Sequence, residues 1–233
     1  MAATIDFSTT RHRDFISRRG ESVAWQKALP CSCRNPISGE YDRTHSTCGG
    51  TGYLYTTQSV SDYRALLRDV SHNQVLASFG ALMLGDLICT TMPDEIPVAV
   101  GDLLVIPGRT FRTAHNVVRA RGNPPVDTKL DALRCTPVSS ITRVWDAGHG
   151  EYTQNGVGVV GPEYELSGDS VKWLTPGGEV HNPARDSVYS AEYRYSPTYI
   201  AIPERLSIRR PIDGVFMPQR AVLRLKNPED FRT

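Results

Sequence analysis

The sequence holds no apolar run approaching the ~20 residues that a membrane-spanning helix requires, so no such helix is expected. Its opening, MAATIDFSTTRHRDFISRRGE, lacks the apolar segment of a secretory leader, and synthesis in the cytoplasm is the expectation. Charge of one sign is also scarce: 26 Lys and Arg stand against 25 Asp and Glu, a formal net charge of +1. That balance excludes a whole-molecule field drawing the protein onto nucleic acid or an anionic membrane; such binding must come from a local patch. Familiar catalytic spacings are missing too: there is no G-x-S-x-G, Walker A loop, dinucleotide fingerprint or H-E-x-x-H. The five cysteines are an odd number in a chain without an export signal. Disulfides are therefore not expected, and clustered thiols read as metal ligands.

What is present suits a folded body. The chain has 233 residues, 39% hydrophobic and 22% charged, enough for one large or two small domains with a proper core. Near the N-terminus a short helix is expected, capped by Ser8 or Thr9, with Phe15 and Ile16 on its buried side and Gly20 ending it. Ser22–Lys27 alternates, with Val23 and Trp25 against polar neighbours, and reads as a strand. In residues 59–73, Tyr63, Leu66, Leu67 and Val70 fall at helical spacing and predict one or two amphipathic turns.

From Gln74 to Pro107 the pattern turns strand-like, with Gly101–Asp102 as a turn leading into a strand, and residues 121–129 read as a polar loop. LRCTPVSSITRVWD, GVGVVG, YELSGDSVKWL, SVYSAEYRYSPTYIAI and RAVLRLK read as further strands, separated by turns such as TPGGE and DGVF. Many short strands with Gly/Pro turns predict a mainly β fold, a β-sandwich or barrel body with short N-terminal helical segments. The expected organisation is an N-terminal segment over 1–58 carrying a loop-rich knuckle at 31–52, then a β-rich body over 59–233.

The knuckle is the most specific signal. Cys31 and Cys33 form one close pair, and after eleven residues His45 and Cys48 form another. Each pair supplies two ligands from one tight turn, and the intervening loop brings the pairs face to face around a tetrahedral ion. Three thiolates and an imidazole favour zinc over hard cations. The glycines of Cys48-Gly49-Gly50-Thr51-Gly52 leave room for backbone amides to point at a thiolate. Four protein ligands leave no open position, so the expected role is structural, fastening a segment with almost no apolar residues of its own. Cys89 and Cys135 lie in strand-like runs and read as buried, inert thiols.

The stretch from Gly20 to Tyr55, with Trp25, the two ligand pairs and the closing glycines, resembles the N-terminal region of tailed-bacteriophage virion proteins of the head–tail connector and neck. Trp173, the Gly177–Gly178 turn, Tyr193-Arg194-Tyr195-Ser196-Pro197-Thr198-Tyr199 and MPQRAVLRL resemble the C-terminal β region of the same group. Cys48-Gly-Gly-Thr-Gly is also similar to half of a DnaJ-type zinc repeat, a family that uses several copies; none recurs here. The connector resemblance implies a non-enzymatic virion subunit forming a homo-oligomeric ring around a DNA channel. Its implied partners are portal or connector, tail or sheath subunits, with non-specific contact to DNA and none to a membrane.

The rival readings are a nucleic-acid-binding zinc module and a metalloenzyme. Arg34 and Arg43 are balanced by Glu40 and Asp42 in the knuckle loop, which weighs against the first. The closed ligand set weighs against the second, and His12, His72, His115, His149 and His181 are scattered, His149 in a turn. Basic clusters at Arg11–Arg13, Arg18–Arg19, Arg119–Arg121 and Arg205–Arg210 read first as solvated surface or subunit salt bridges, and second as phosphate contacts. The tyrosines 189, 193, 195 and 199 fit either cross-strand core packing or an interface.

Overall fold

The computed structural model describes residues 8–56, 63–70, 85–93, 98–119, 130–155, 163–174, 183–184, 186–207 and 218–226. Backbone contacts divide the chain into two compact units, Met1–Gly108 with Thr198–Thr233, and Arg109–Pro197. In chain order the first unit holds helix α1 (Thr9–Arg19) and strands β1 (Glu21–Ser22), β2 (Ala24–Gln26), β3 (Ala28–Pro30), β4 (Tyr53–Tyr55), β5 (Arg64–Asp69), β6 (Leu87–Thr90) and β7 (Leu103–Val105). The second holds β8 (Phe111–Val118), β9 (Leu130–Ala132), β10 (Val138–Asp146), β11 (Gly150–Tyr152), β12 (Tyr164–Ser167), β13 (Ser170–Trp173) and β14 (Val188–Tyr195). The chain then returns to the first unit as β15 (Thr198–Ser207) and β16 (Arg220–Leu225). The fold is mainly β, as the strand pattern predicts.

In the first unit seven strands form a nearly closed, barrel-like sheet in the order β1-β5-β6-β16-β15-β7-β2. Its two edge strands are consecutive in sequence: only Val23 separates β1 from β2, and its amide bonds the Tyr63 carbonyl at 2.8 Å. Alternation places Tyr63, Ala65, Leu87, Cys89, Leu104, Tyr199, Ala201, Ala221 and Leu223 in one core cluster, with Leu67 and Leu225 packed on it. The opposite parity supplies Val70, Ile88, Ile202 and Val222 to a smaller cluster.

Residues 64–69 are therefore a strand, and the helical turns expected there do not form. Tyr63, Ala65 and Leu67 are the working alternation, and pairing with β1 and β6 outweighs a helical spacing shared by chance with Leu66 and Val70. Helix α1 forms where predicted. Ser8 caps it by accepting the Arg11 amide at 3.3 Å, and Ile16 is fully buried. Phe15, expected inside, is 53% exposed, because the helix buries one residue row and Phe15 lies about 100° from Ile16. Gly20 ends the helix in extended backbone, its amide bonding the Ile16 carbonyl at 2.6 Å. A Cβ at Gly20 would lie 2.5 Å from that carbonyl and 3.0 Å from the Ala65 carbonyl, so the helix end meets β5 closely only with glycine there.

The second unit contains a four-stranded sheet, β11-β10-β14-β8, and a three-stranded sheet, β12-β13-β9. Its core centres on Trp173, fully buried with edge-on contacts to Tyr152 at 5.0 Å and Tyr189 at 5.1 Å. Asp131, itself buried, accepts from Trp173 Nε1 at 2.7 Å, Tyr189 Oη at 3.0 Å and the Arg119 guanidinium at 3.3 Å. Tyr189, Tyr193 and Tyr199 are thus core residues of their units, and Tyr195 packs edge-on against Phe111 at 6.0 Å. Arg119 is 6% exposed and ion-paired, so it is neither solvated surface nor a phosphate contact. His149 occupies the β10–β11 turn, as expected, its amide bonding Asp146 Oδ1 at 2.6 Å. No helix among the described residues is long and apolar enough to cross a membrane. The strand expected at GVGVVG, the TPGGE and DGVF turns, His72, His181, and the side chains of Arg121 and Arg205–Arg210 lie outside the described residues.

Candidate metal centre

The knuckle grows from the short ribbon of β3 and β4, which pair as Ala28 with Tyr55, Leu29 with Leu54 and Pro30 with Tyr53. The ladder continues one step, the Cys31 amide bonding the Gly52 carbonyl at 3.0 Å. Cys31 and the Cys48 turn are therefore delivered side by side at the ribbon's end. A single 3-10 turn, Ser46–Cys48, follows His45 and sets the second ligand pair. Between the pairs, side chains replace a core. Asn35 Oδ1 accepts the Ile37 amide at 2.8 Å and the Ser38 amide at 3.1 Å, and Asp42 Oδ1 accepts the Thr44 amide at 2.8 Å. These Asx turns fold a loop in which only Cys31 and Cys48 are buried between residues 31 and 51.

One ligand atom from each of Cys31, Cys33, His45 and Cys48 lies within 4.8 Å of all the others. His45 Nδ1 stands 3.5 Å from Cys31 Sγ and 3.6 Å from Cys48 Sγ, and Cys33 Sγ stands 3.5 Å from Cys48 Sγ. A tetrahedron with metal–sulfur bonds of ~2.3 Å and metal–nitrogen bonds of ~2.0–2.1 Å has N···S edges of about 3.6 Å and S···S edges of about 3.8 Å. These three edges are of that size, and every other edge is at most 4.8 Å. The Cys33–Cys48 separation is far beyond the ~2.05 Å of a disulfide, and all five cysteines are free. The cluster can hold a metal ion, and the sequence spacing located all four of its residues.

Its electrostatics suit thiolate ligands. Burial alone would push the Cys48 thiol up. Hydrogen bonds from His45, the Gly52 amide, Cys33 and the Gly50 amide outweigh that and bring it down to about 6. Desolvation, then the Cys48 and Cys31 thiols beside it, push Cys33 up to about 11. A cation between the sulfurs would reverse that crowding. Gly50 is at φ +73°, and a Cβ there would come within 2.1 Å of the Arg43 carbonyl oxygen, so the turn in which its amide bonds the His45 carbonyl at 3.1 Å depends on glycine. Cys89, by contrast, is fully buried in the barrel and pushed up to about 12 by burial, an inert thiol as expected. Cys135 is only half-buried, its amide donating to Tyr193 Oη at 2.9 Å.

Sequence reasoning missed the group that seats the ribbon. Asp102, fully buried just before β7, accepts from Ala28 N at 2.8 Å and Ala99 N at 2.8 Å, and from Trp25 Nε1 and Lys27 Nζ at 3.0 Å each. It reads in sequence only as a turn residue, because its partners in β2 and β3 lie 74 to 77 positions away. Tyr53 packs over Gly101, and the Arg34 guanidinium stacks on Tyr53 at 4.4 Å.

Fold and site together define a mainly β protein with a nearly closed, barrel-like sheet and a Cys₃His cluster able to hold a metal ion. The chain matches no protein-family model and no curated protein.

Proposed function

We propose that this chain is a non-enzymatic structural subunit whose Cys31–Cys33–His45–Cys48 centre takes one zinc ion. The observation that carries the reading is the convergence of four protein ligands within 4.8 Å in a loop with no apolar core. Bound zinc would supply a cross-link there, worth folding free energy in place of hydrophobic burial. The chain's own residues do the rest. The β3–β4 ladder aligns the two pairs, hydrogen bonds led by that from His45 favour the Cys48 thiolate, and Asp102 holds the ribbon to the barrel-like sheet. A set of four protein ligands leaves no coordination position for substrate, which favours a structural over a catalytic centre.

The resemblance of Gly20–Tyr55 and of the Trp173-to-Leu225 region to head–tail connector proteins supports placing the subunit in the neck of a tailed-phage virion, as a homo-oligomeric ring between portal and tail proteins. The test has two arms. Elemental mass spectrometry of purified protein should give about one zinc per chain, lost in a Cys31→Ser/Cys48→Ser variant together with thermal stability. Electron microscopy of the zinc-loaded protein, alone and mixed with portal and tail subunits, should show rings. Well-folded wild-type protein without metal would remove the zinc centre. Monomers that never assemble with either partner would remove the neck.

A further inference from the structure

The Cys₃His cluster offers a second chemistry besides metal binding. Cys33 Sγ and Cys48 Sγ stand 3.5 Å apart, on residues fifteen positions apart in sequence. A disulfide holds its sulfurs at ~2.05 Å, so closing a bond here takes a shift of about 1.5 Å. Cys33 sits at the tip of the turn that the Arg34 amide closes onto the Cys31 carbonyl at 3.0 Å. It is only half-buried, whereas Cys31 and Cys48 are 3% and 9% exposed. An oxidant in solution therefore meets Cys33 first, with Cys48 directly behind it.

Cys31 is the poorer partner for either sulfur. Its amide is tied into the ribbon ladder at Gly52, at 3.0 Å. Ser32 alone separates it from Cys33, so a bond between those two would close a very small ring across the turn. Cys89 is fully buried in the barrel-like sheet, and Cys135 belongs to the other unit.

We propose that Cys33 and Cys48 form a reversible disulfide under an oxidant of the peroxide class, and that this bond and the metal ion are alternative fasteners of one loop. The Cys33 sulfur attacks one peroxide oxygen and the O–O bond breaks. Sulfur is oxidised to the sulfenic acid, and the second oxygen leaves as hydroxide, taking up the thiol proton as water. The Cys48 sulfur then attacks the Cys33 sulfur. The S–S bond forms, the S–O bond breaks, and the departing hydroxide takes the Cys48 proton as a second water. Two thiols have lost two hydrogens, and the peroxide has become two waters.

The disulfide withdraws two of the four donors. Cys31 and His45 remain, too few for a closed tetrahedral site, so bond and ion exclude one another. Residues 33–48 become one covalent loop, the segment that the ion would otherwise tie. The Asn35 and Asp42 side chains turn the chain between the two sulfurs in either state. Exclusion of the ion rests on the zinc centre proposed above, whereas formation of the bond does not.

The test treats the full chain with stoichiometric hydrogen peroxide, once with zinc added and once with a chelator, then alkylates it in denaturant and digests it with trypsin. Cleavage after Arg34 and Arg43 puts Cys33 and Cys48 on different peptides. The bond then appears in mass spectra as a linked pair that dithiothreitol separates, and fragmentation places it at Cys33 or Cys31. Both arms should give the Cys33–Cys48 link, with Cys89 and Cys135 alkylated. The zinc arm, which reads the folded knuckle even where the chelated chain loosens, should release one zinc per link to a chromogenic chelator, and dithiothreitol should restore zinc binding. Cys33 and Cys48 alkylated separately, Cys33 carried on to the sulfinic acid, or a link through Cys31 would each overturn the disulfide. Zinc uptake without a link would do the same while leaving the zinc centre standing. A link in a chain that takes up no zinc would support the bond and remove the zinc centre. Zinc retained by the linked chain would overturn the exclusion.

Discussion

Asp102 Oδ1 accepts the backbone amide of Ala28 at 2.8 Å, three residues before the first metal ligand, Cys31. A barrel residue thus fixes the root of the knuckle. Replacing Asp102 with Ala would leave the Trp25 indole and the Ala28 and Ala99 amides without their acceptor. Each such orphan costs ~1–3 kcal/mol, so a loss of about 3 kcal/mol or more is expected, read by urea denaturation. A change below ~1 kcal/mol would show that water replaces the carboxylate and that the ribbon does not depend on it.

Gly50 links backbone shape to metal affinity. In Gly50→Ala the new Cβ would collide with the Arg43 carbonyl and the positive φ would be strained. Both effects would open the turn in which the residue 50 amide bonds the carbonyl of the ligand His45 at 3.1 Å. Loss of such an outer hydrogen bond typically costs on the order of ten- to a hundredfold in metal affinity. Competition with a chromogenic zinc chelator should show that drop, with barrel circular dichroism unchanged. Unaltered affinity would mean that the ligand pair keeps its place without that turn.

These two residues mark where the sequence is legible and where it is not. The four ligands could be found because metal chemistry demands close pairs, a local property. Ser8 at the helix cap was visible for the same reason. Asp102, Arg119 and Asp131 were not, because their meaning comes from partners brought near only by the finished sheets. The alternation around β5 is masked because the inner row, Tyr63 just before the strand and Ala65 and Leu67 within it, is interrupted by an apolar Leu66. Strand β8 escaped notice because Arg112, Ala114 and Asn116 face outward from Thr113 and His115, leaving little hydrophobic contrast.

The buried pair in the second unit gives a test of asymmetry. Arg119 and Asp131 side chains are 7% and 2% exposed. Asp131→Ala would strand a buried guanidinium together with the Trp173 and Tyr189 donors, and a loss of about 3–5 kcal/mol is expected. Arg119→Met should cost less, since Asp131 keeps its two neutral donors and the new side chain stays apolar over Trp173. Denaturation followed by tryptophan fluorescence would compare the two. Equal losses would mean that Asp131 depends on the charge of Arg119.

Glu192 makes the stability of the second unit depend on pH. A hydrogen bond from Arg112 lowers its titration, burial opposes this, and Arg143, donating from Nε at 2.7 Å, lowers it further. The net shift is downward from the ordinary value of 4.5. A carboxyl whose folded pKa lies below its unfolded one binds protons more readily in the unfolded chain, so stability rises with pH across that interval. The contribution is complete above about pH 4.5 and is lost as pH falls through the lower folded value. Glu192→Gln should therefore destabilise the protein at pH 7 and flatten the acid limb of a stability–pH curve below 4.5, while Arg112→Gln should flatten it partly, Arg143 remaining. Thermal melts at half-unit steps from pH 3 to 7 would resolve the three curves. An acid limb in Glu192→Gln as steep as that of the wild type would move the effect to Asp146 or Glu165, whose titrations are also lowered.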